Sequence, residues 1–185
     1  ITIFQTKKLE KKWMSLMKKL NLNLFSLFFF LLTTILSAEE KIISGKAKIT
    51  DGDTIVINQI KIRFFGIDAP EKKQICKKNY LKFLIFNFKK NYECGKVSSI
   101  KLKNKIKGKN IKCVVKKKDK YKRYLGICYL GKEDLSRWLV KNGYAVAYQK
   151  YSKKYLLDEQ YAKNNTLGLW DGTFLRPEEW RRNFK

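Results

Sequence analysis

Two short β-branched runs, Thr54–Ile57 and Ile60–Phe64, are separated only by Asn58-Gln59, and no other stretch restricts the fold of this chain as much. A two-residue connection containing Asn between such runs predicts a tight antiparallel hairpin. Successive side chains of a strand point to opposite faces. Ile60, Ile62 and Phe64 therefore share one face, and Lys61, Arg63 and Phe65 the other. With the aliphatic face in the core, Arg63 is expected to point away from it, free to meet an anion. Upstream, residues 42–50 read as a strand entering the turn Asp51-Gly52.

Further along, residues 111–115 and Tyr124–Leu130 read as strands joined by the lysine-rich segment 116–123. Helices are expected over 97–106, 133–142 and 152–164. The second carries Leu135, Trp138 and Leu139 on one stripe and Gly143 at its end. A basic and aromatic insert covers 72–95, and its apolar part, 80–88, is expected to be helical. Strands first, with helices between and after them, indicate α+β rather than a parallel α/β sheet. Five short strands in this order suit an OB-type Greek-key barrel with about three helices, an architecture that often binds oligonucleotides.

Charge narrows the partners. Lys and Arg number 42 against 16 Asp and Glu, a formal +26. Such an excess calls for a polyanion, either nucleic acid or an anionic membrane surface. Histidine is absent, which removes His general bases, His nucleophiles and His-ligated zinc. Hydrolysis by this chain must use carboxylates, Arg, Lys, Tyr or an oxygen-ligated metal.

Met17-Lys18-Lys19, the apolar stretch 24–36 and the small pair Ser37-Ala38 form the three parts of a secretory signal peptide, expected over 17–38. Residues 1–16 lie upstream of that start and are expected to be a translation artefact. An uncleaved N-terminal anchor is the alternative and would be the chain's only tie to a membrane. Removing 1–38 takes away six lysines and one glutamate and leaves +21 over 39–185, so the basic character belongs to the mature part and not to its address label; the domain itself is expected over 39–170. Residues 171–185 are expected to pack on that domain through Trp180. Export, to the medium or the periplasm, lets cysteines oxidise. Four cysteines allow three pairings. Cys76–Cys94 and Cys113–Cys128 are the expected pair of bridges, with four reduced thiols as the alternative.

Acidic residues are scarce, yet three cluster near the hairpin: Asp53 after the first turn, then Asp68 and Glu71 in Asp68-Ala69-Pro70-Glu71. Calcium takes hard oxygen ligands from carboxylates and backbone carbonyls. Asp53 and Asp68 lie where both can reach one ion. Pro70 holds Ala69 extended and can present its carbonyl as a further ligand. Glu71 is then close enough to act on a metal-associated water.

Asp51-Gly52-Asp53-Thr54, Arg63, Asp68-Ala69-Pro70-Glu71 and Asp119-Lys120-Tyr121-Lys122-Arg123 match in order the motifs of the staphylococcal nuclease-like thermonucleases. The chain resembles that family from about residue 43 to residue 170, and Ala145-Val146-Ala147-Tyr148 resembles its segment with a substrate-contacting tyrosine. The resemblance implies calcium held by Asp53, Asp68 and the Ala69 carbonyl, Glu71 as general base, and Arg63 and Arg123 on the phosphate. It implies Lys120, Tyr121 and Tyr148 against the nucleotide, and hydrolysis of DNA and RNA to 3′-phosphate ends. No feature of the sequence calls for an obligate oligomer or protein partner, and a monomer is expected. Ala69 departs from a hydroxyl residue common in the family, which is tolerable if the ligand there is the carbonyl. The rival reading is a non-catalytic module of the same barrel that binds single strands.

Overall fold

The chain divides into Ile1–Glu39 and Glu40–Lys185, and the computed structural model describes residues 10–20, 40–83 and 86–184, with side chains outside 81–87. In the first unit, residues 10–20 form a helix, α1. Residues 17–20 of the expected signal peptide fall in α1, and 21–38 lie outside the described residues. Among the described residues no helix is long and apolar enough to cross a membrane.

The second unit opens with β1 (Ile42–Asp51), β2 (Thr54–Ile57), β3 (Ile60–Phe64) and the short β4 (Ile67–Asp68). A hairpin of β5 (Ile75–Phe83) and β6 (Phe86–Glu93) follows, then α2 (Cys94–Ile106). Next come β7 (Asn110–Lys118), β8 (Tyr124–Leu130), β9 (Glu133–Asp134) and α3 (Leu135–Lys141). The unit ends with β10 (Val146–Ala147), α4 (Leu156–Asn164), a 3-10 turn (Gly168–Asp171), β11 (Gly172–Thr173) and α5 (Pro177–Asn183).

Asn58 and Gln59 both take positive φ, 48° and 65°. This is the type I′ geometry whose twist matches the flanking strands. The turn fixes the register Ile57↔Ile60, Ile55↔Ile62 and Thr54↔Arg63. Ile55, Ile57, Ile62 and Phe64 are consequently buried, each worth ~1.5–3 kcal/mol of transfer free energy. Strand order is β3-β2-β1-β7-β8, and β3 also pairs in parallel with β8, so the five strands close on themselves. The α+β reading with a five-stranded OB-type barrel is what the chain adopts. Leu102 and Ile106 of α2, and Leu135 and Leu139 of α3, join the barrel core.

Of the segment expected to be helical at 80–88, residues 80–83 and 86–88 instead belong to the β5–β6 hairpin, with Lys77 opposite Asn91 and Lys78 opposite Lys90. The Cys76–Cys94 bridge holds the two ends of this segment at a Cα separation of 5.6 Å, so the chain between must double back. A helix through 80–88 would advance ~13 Å one way. The second bridge, Cys113–Cys128, links directly opposed residues of β7 and β8. Both expected pairings are thus present.

Helix boundaries shift for local reasons. α3 starts at Leu135 because the Asp134 side chain accepts from the N–H groups of Ser136 and Arg137, the usual N-terminal cap. α4 starts at Leu156, after turns in which Tyr148 O accepts from Tyr151 N and Ser152 N. α5, a fourth helix of this unit where three were expected, begins at Pro177. Pro is favoured at that position because its missing N–H has no partner to lose.

Candidate active site

The tight β1–β2 turn carries Asp53 with its side chain turned inward, 2% exposed. Its Oδ1 accepts from Thr54 Oγ1 at 2.9 Å and from Arg63 Nη1 at 2.9 Å. Its Oδ2 accepts from Ala69 N at 3.1 Å and lies 2.8 Å from Arg63 Nη2. Arg63 Nη2 also donates to Asp68 Oδ1 at 2.6 Å. The expected orientation of Arg63, away from the aliphatic core, is correct, but the side chain is not free. It bridges two buried carboxylates, because β2–β3 pairing puts Thr54 opposite Arg63 and β4 returns Asp68 to the same place.

Two glycines let the loops close over this point. A Cβ on Gly52 would collide with Ser98 of α2 and with Ala69, and a Cβ on Gly95 would run into the Glu71 carbonyl. The Asp51-Gly52-Asp53 turn and the Glu71 backbone are therefore pressed onto the start of α2. Gln74 N donates to Glu71 O at 2.7 Å, and Gln74 Oε1 accepts from Glu71 N at 3.2 Å.

Glu71 and Asp68 meet a residue absent from the sequence reading. Arg181 of α5 donates from Nη1 to Glu71 Oε1 at 2.7 Å and to Asp68 Oδ1 at 3.1 Å, and from Nη2 to Asp68 Oδ2 at 2.8 Å. The tail was expected to pack through Trp180, whose ring stacks on Phe184 at 5.2 Å. A signal for Arg181 does exist in the composition. Only six of the 42 basic residues are arginine, so an Arg in this lysine-rich chain marks a place where a planar fork matters.

Arg123 belongs to a second group, at the β7–β8 connection. Its Nε and Nη2 each lie 2.8 Å from Asp119 Oδ2. Its guanidinium sits 5.4 Å from the centre of the Tyr121 ring, and Lys120 Nζ 5.1 Å from the same ring. Tyr121 is 61% exposed. Leu125, two residues on, faces Arg63 across the parallel β3–β8 pairing, so Arg123 stands next to the strand that bears Arg63. Tyr148 comes to Asp68 from another direction, since β10 pairs with β4 as Val146↔Asp68. It lines a 260 Å³ cleft with Asp68, Ala147, Arg176, Pro177 and Glu178.

Electrostatically the site is crowded with negative charge. Burial and then the neighbouring Asp53 push the Asp51 carboxyl up to about 6. Burial also pushes Asp68 up, against the pull of Arg181 and Arg63. Burial works against the Arg181 charge, but its bonds to Asp68 and Glu71 hold it above its ordinary value. Among the described residues no three acidic or cysteine side chains converge on one ion position. The donors Asp53, Asp68 and the Ala69 carbonyl are all hard oxygens, which fits calcium or magnesium and not a thiolate-seeking metal.

The family model of the staphylococcal nuclease homologues matches residues 61–172. An uncharacterized endonuclease of Haemophilus influenzae is 34% identical over 84% of this chain and 83% of its own length. The succinoglycan biosynthesis protein ExoI of Rhizobium meliloti is 33% identical over 76% of this chain and 70% of its own. A probable staphylococcal-like nuclease, CAN2, of Oryza sativa is 30% identical over 83% of this chain and 36% of its own. With its barrel, its buried Asp53–Arg63–Asp68 bridge and these relatives, the chain belongs to the family of staphylococcal nuclease homologues.

Proposed function

We propose that this protein is an exported, calcium-dependent nuclease that acts as a monomer on DNA and RNA and leaves 3′-phosphate ends. The observation that carries this reading is the Arg63 fork fastened across Asp53 and Asp68, with Glu71 at the rim of the same group. Asp53, Asp68 and the Ala69 carbonyl would hold the calcium, which supplies Lewis-acid charge beside a phosphate oxygen.

Glu71, with its side chain 35% exposed, is reachable by solvent and takes the proton of the attacking water. The water oxygen bonds to phosphorus, and the bond to the 5′-oxygen breaks. The 5′-oxygen takes a proton from solvent, and the phosphate stays on the 3′ side. Negative charge builds on the equatorial oxygens along the way, and the positive charges of Arg63 and Arg123 stabilise it. Lys120 and Tyr121, exposed beside Arg123, and Tyr148, in the cleft by Asp68, contact the nucleotide. Two disulfides and the N-terminal charge and apolar pattern support export.

The test is cleavage of single- and double-stranded DNA and RNA with calcium or with chelator. Cutting is expected only with calcium, and Glu71→Gln is expected to lower kcat by ~10²–10⁴ while substrate binding survives. Full activity in chelator would overturn the metal assignment. Binding without any cutting by the parent protein would return the chain to the single-strand-binding modules.

A further inference from the structure

Asp68 is 1% exposed and accepts three guanidinium bonds, one from Arg63 and two from Arg181. The two from Arg181 form a fork on both oxygens, and the same Arg181 Nη1 reaches Glu71. The residues assigned above to the metal and to the water therefore share one cation that arrives from the far end of the chain.

We propose that Arg181 is a positioning residue of the nuclease site: it occupies Asp68 and Glu71 in the metal-free protein and gives way when calcium binds. This rests on the calcium reading above. A divalent ion and a guanidinium on the same edge of one carboxylate place like charges in contact. One of them must leave, and the surroundings indicate Arg181. Arg63 is the more enclosed, at 15% side-chain exposure against 27%, and it also serves Asp53.

The helix that bears Arg181 does not depend on this contact for its seat. Arg176 Nη2 donates to Ala147 O at 2.9 Å and to Glu159 Oε1 at 3.1 Å. Pro177 is buried, and Gln74 Nε2 donates to Leu175 O at 2.8 Å. The side chain can swing off the carboxylates while the base of α5 stays in place. The exchange also releases the Glu71 carboxylate from its 2.7 Å contact with Arg181 Nη1 and leaves it open to the attacking water. Calcium binding and freeing of the base thus become a single event.

Calorimetric titration of the folded protein with calcium tests this. Arg181→Gln is expected to bind calcium about tenfold more tightly than the parent. Arg181→Lys, a point charge without the fork, is expected to fall between them. The calcium concentration for half-maximal cutting should shift in the same direction. Equal or weaker binding by Arg181→Gln overturns the proposal while leaving the metal reading intact. If neither protein binds calcium, the metal reading itself fails. A measurement on the unaltered protein avoids any folding defect in the variants: phenylglyoxal labelling of Arg181, read by peptide mass, should speed up when calcium is added. Unchanged labelling in a protein that binds calcium would also overturn the exchange.

Discussion

Arg63 and Arg181 are held by the same carboxylates but differ in what their loss should do. Arg63 lies between Asp53 and Asp68, both nearly inaccessible to water. Removing it leaves two buried like charges with half their compensation. Breaking a buried pair from one side costs ~3–5 kcal/mol. Arg63→Ala should lose about that much stability in chelator, measured by denaturant unfolding. Calcium should return part of it by supplying the missing positive charge. A loss below ~1 kcal/mol would mean that water already solvates the two aspartates. At this scale the sequence singled out the carboxylates and Arg63 but not which guanidinium meets which carboxylate. Asp53, Asp68 and Glu71 could be singled out because acids are rare in the chain. Arg181 lies 110 residues from Glu71, and no periodicity connects residues so far apart. Of the six arginines, Arg63, Arg123, Arg137, Arg176 and Arg181 each meet a carboxylate. The choice of Arg over Lys was the readable trace of those pairs.

Among the elements, the strands were legible because their constraints are local. Asn58-Gln59 imposes its own turn, and alternation sorts Ile62 from Arg63 without reference to the rest of the chain. The β5–β6 hairpin was missed because its pairing follows from a covalent bridge and from β11, which adds alongside β5 through Gly172↔Lys78. The two bridges should accordingly behave differently. Cys113 and Cys128 are fully buried in the barrel core. Cys76 and Cys94 sit in a small satellite cluster with Val146 and Leu169. Replacing Cys113 and Cys128 together by alanine should lower global stability by ~3 kcal/mol, the size expected for closing a loop of about this length. Replacing Cys76 and Cys94 should leave the unfolding midpoint much closer to the parent's and open residues 75–93 to protease. Equal effects on the midpoint would refute the division into core and satellite. Asp134 is a further local anchor, since it caps α3 and also accepts from Lys154 Nζ and Tyr155 OH, both at 2.9 Å.

Over the whole molecule, the excess of lysine acts through long-range attraction rather than through any one contact. Affinity for a single strand should fall steeply with added salt, with a log–log slope of about −0.7 per phosphate contacted. Short substrates should lose KM and keep kcat, because the positions that do chemistry are arginines tied to buried carboxylates. A slope near zero in a filter-binding titration would mean that the lysines are merely a solubilising coat. Closure of the barrel is also a property of the whole. Ile62 pairs with Tyr124, and everything from β4 to β7 is a detour between two neighbouring strands. The cost of a detour grows only with the logarithm of its length, ~0.6 kcal/mol per doubling. Within it, the Cys76–Cys94 bridge ties off residues 77–93 as a covalent ring with a 5.6 Å neck. Lys77 and Lys78 are tied to β11, and what lies beyond them is a replaceable cassette: a longer, shorter or foreign hairpin tip spliced there is expected to leave Glu71 on one side and α2 on the other in place.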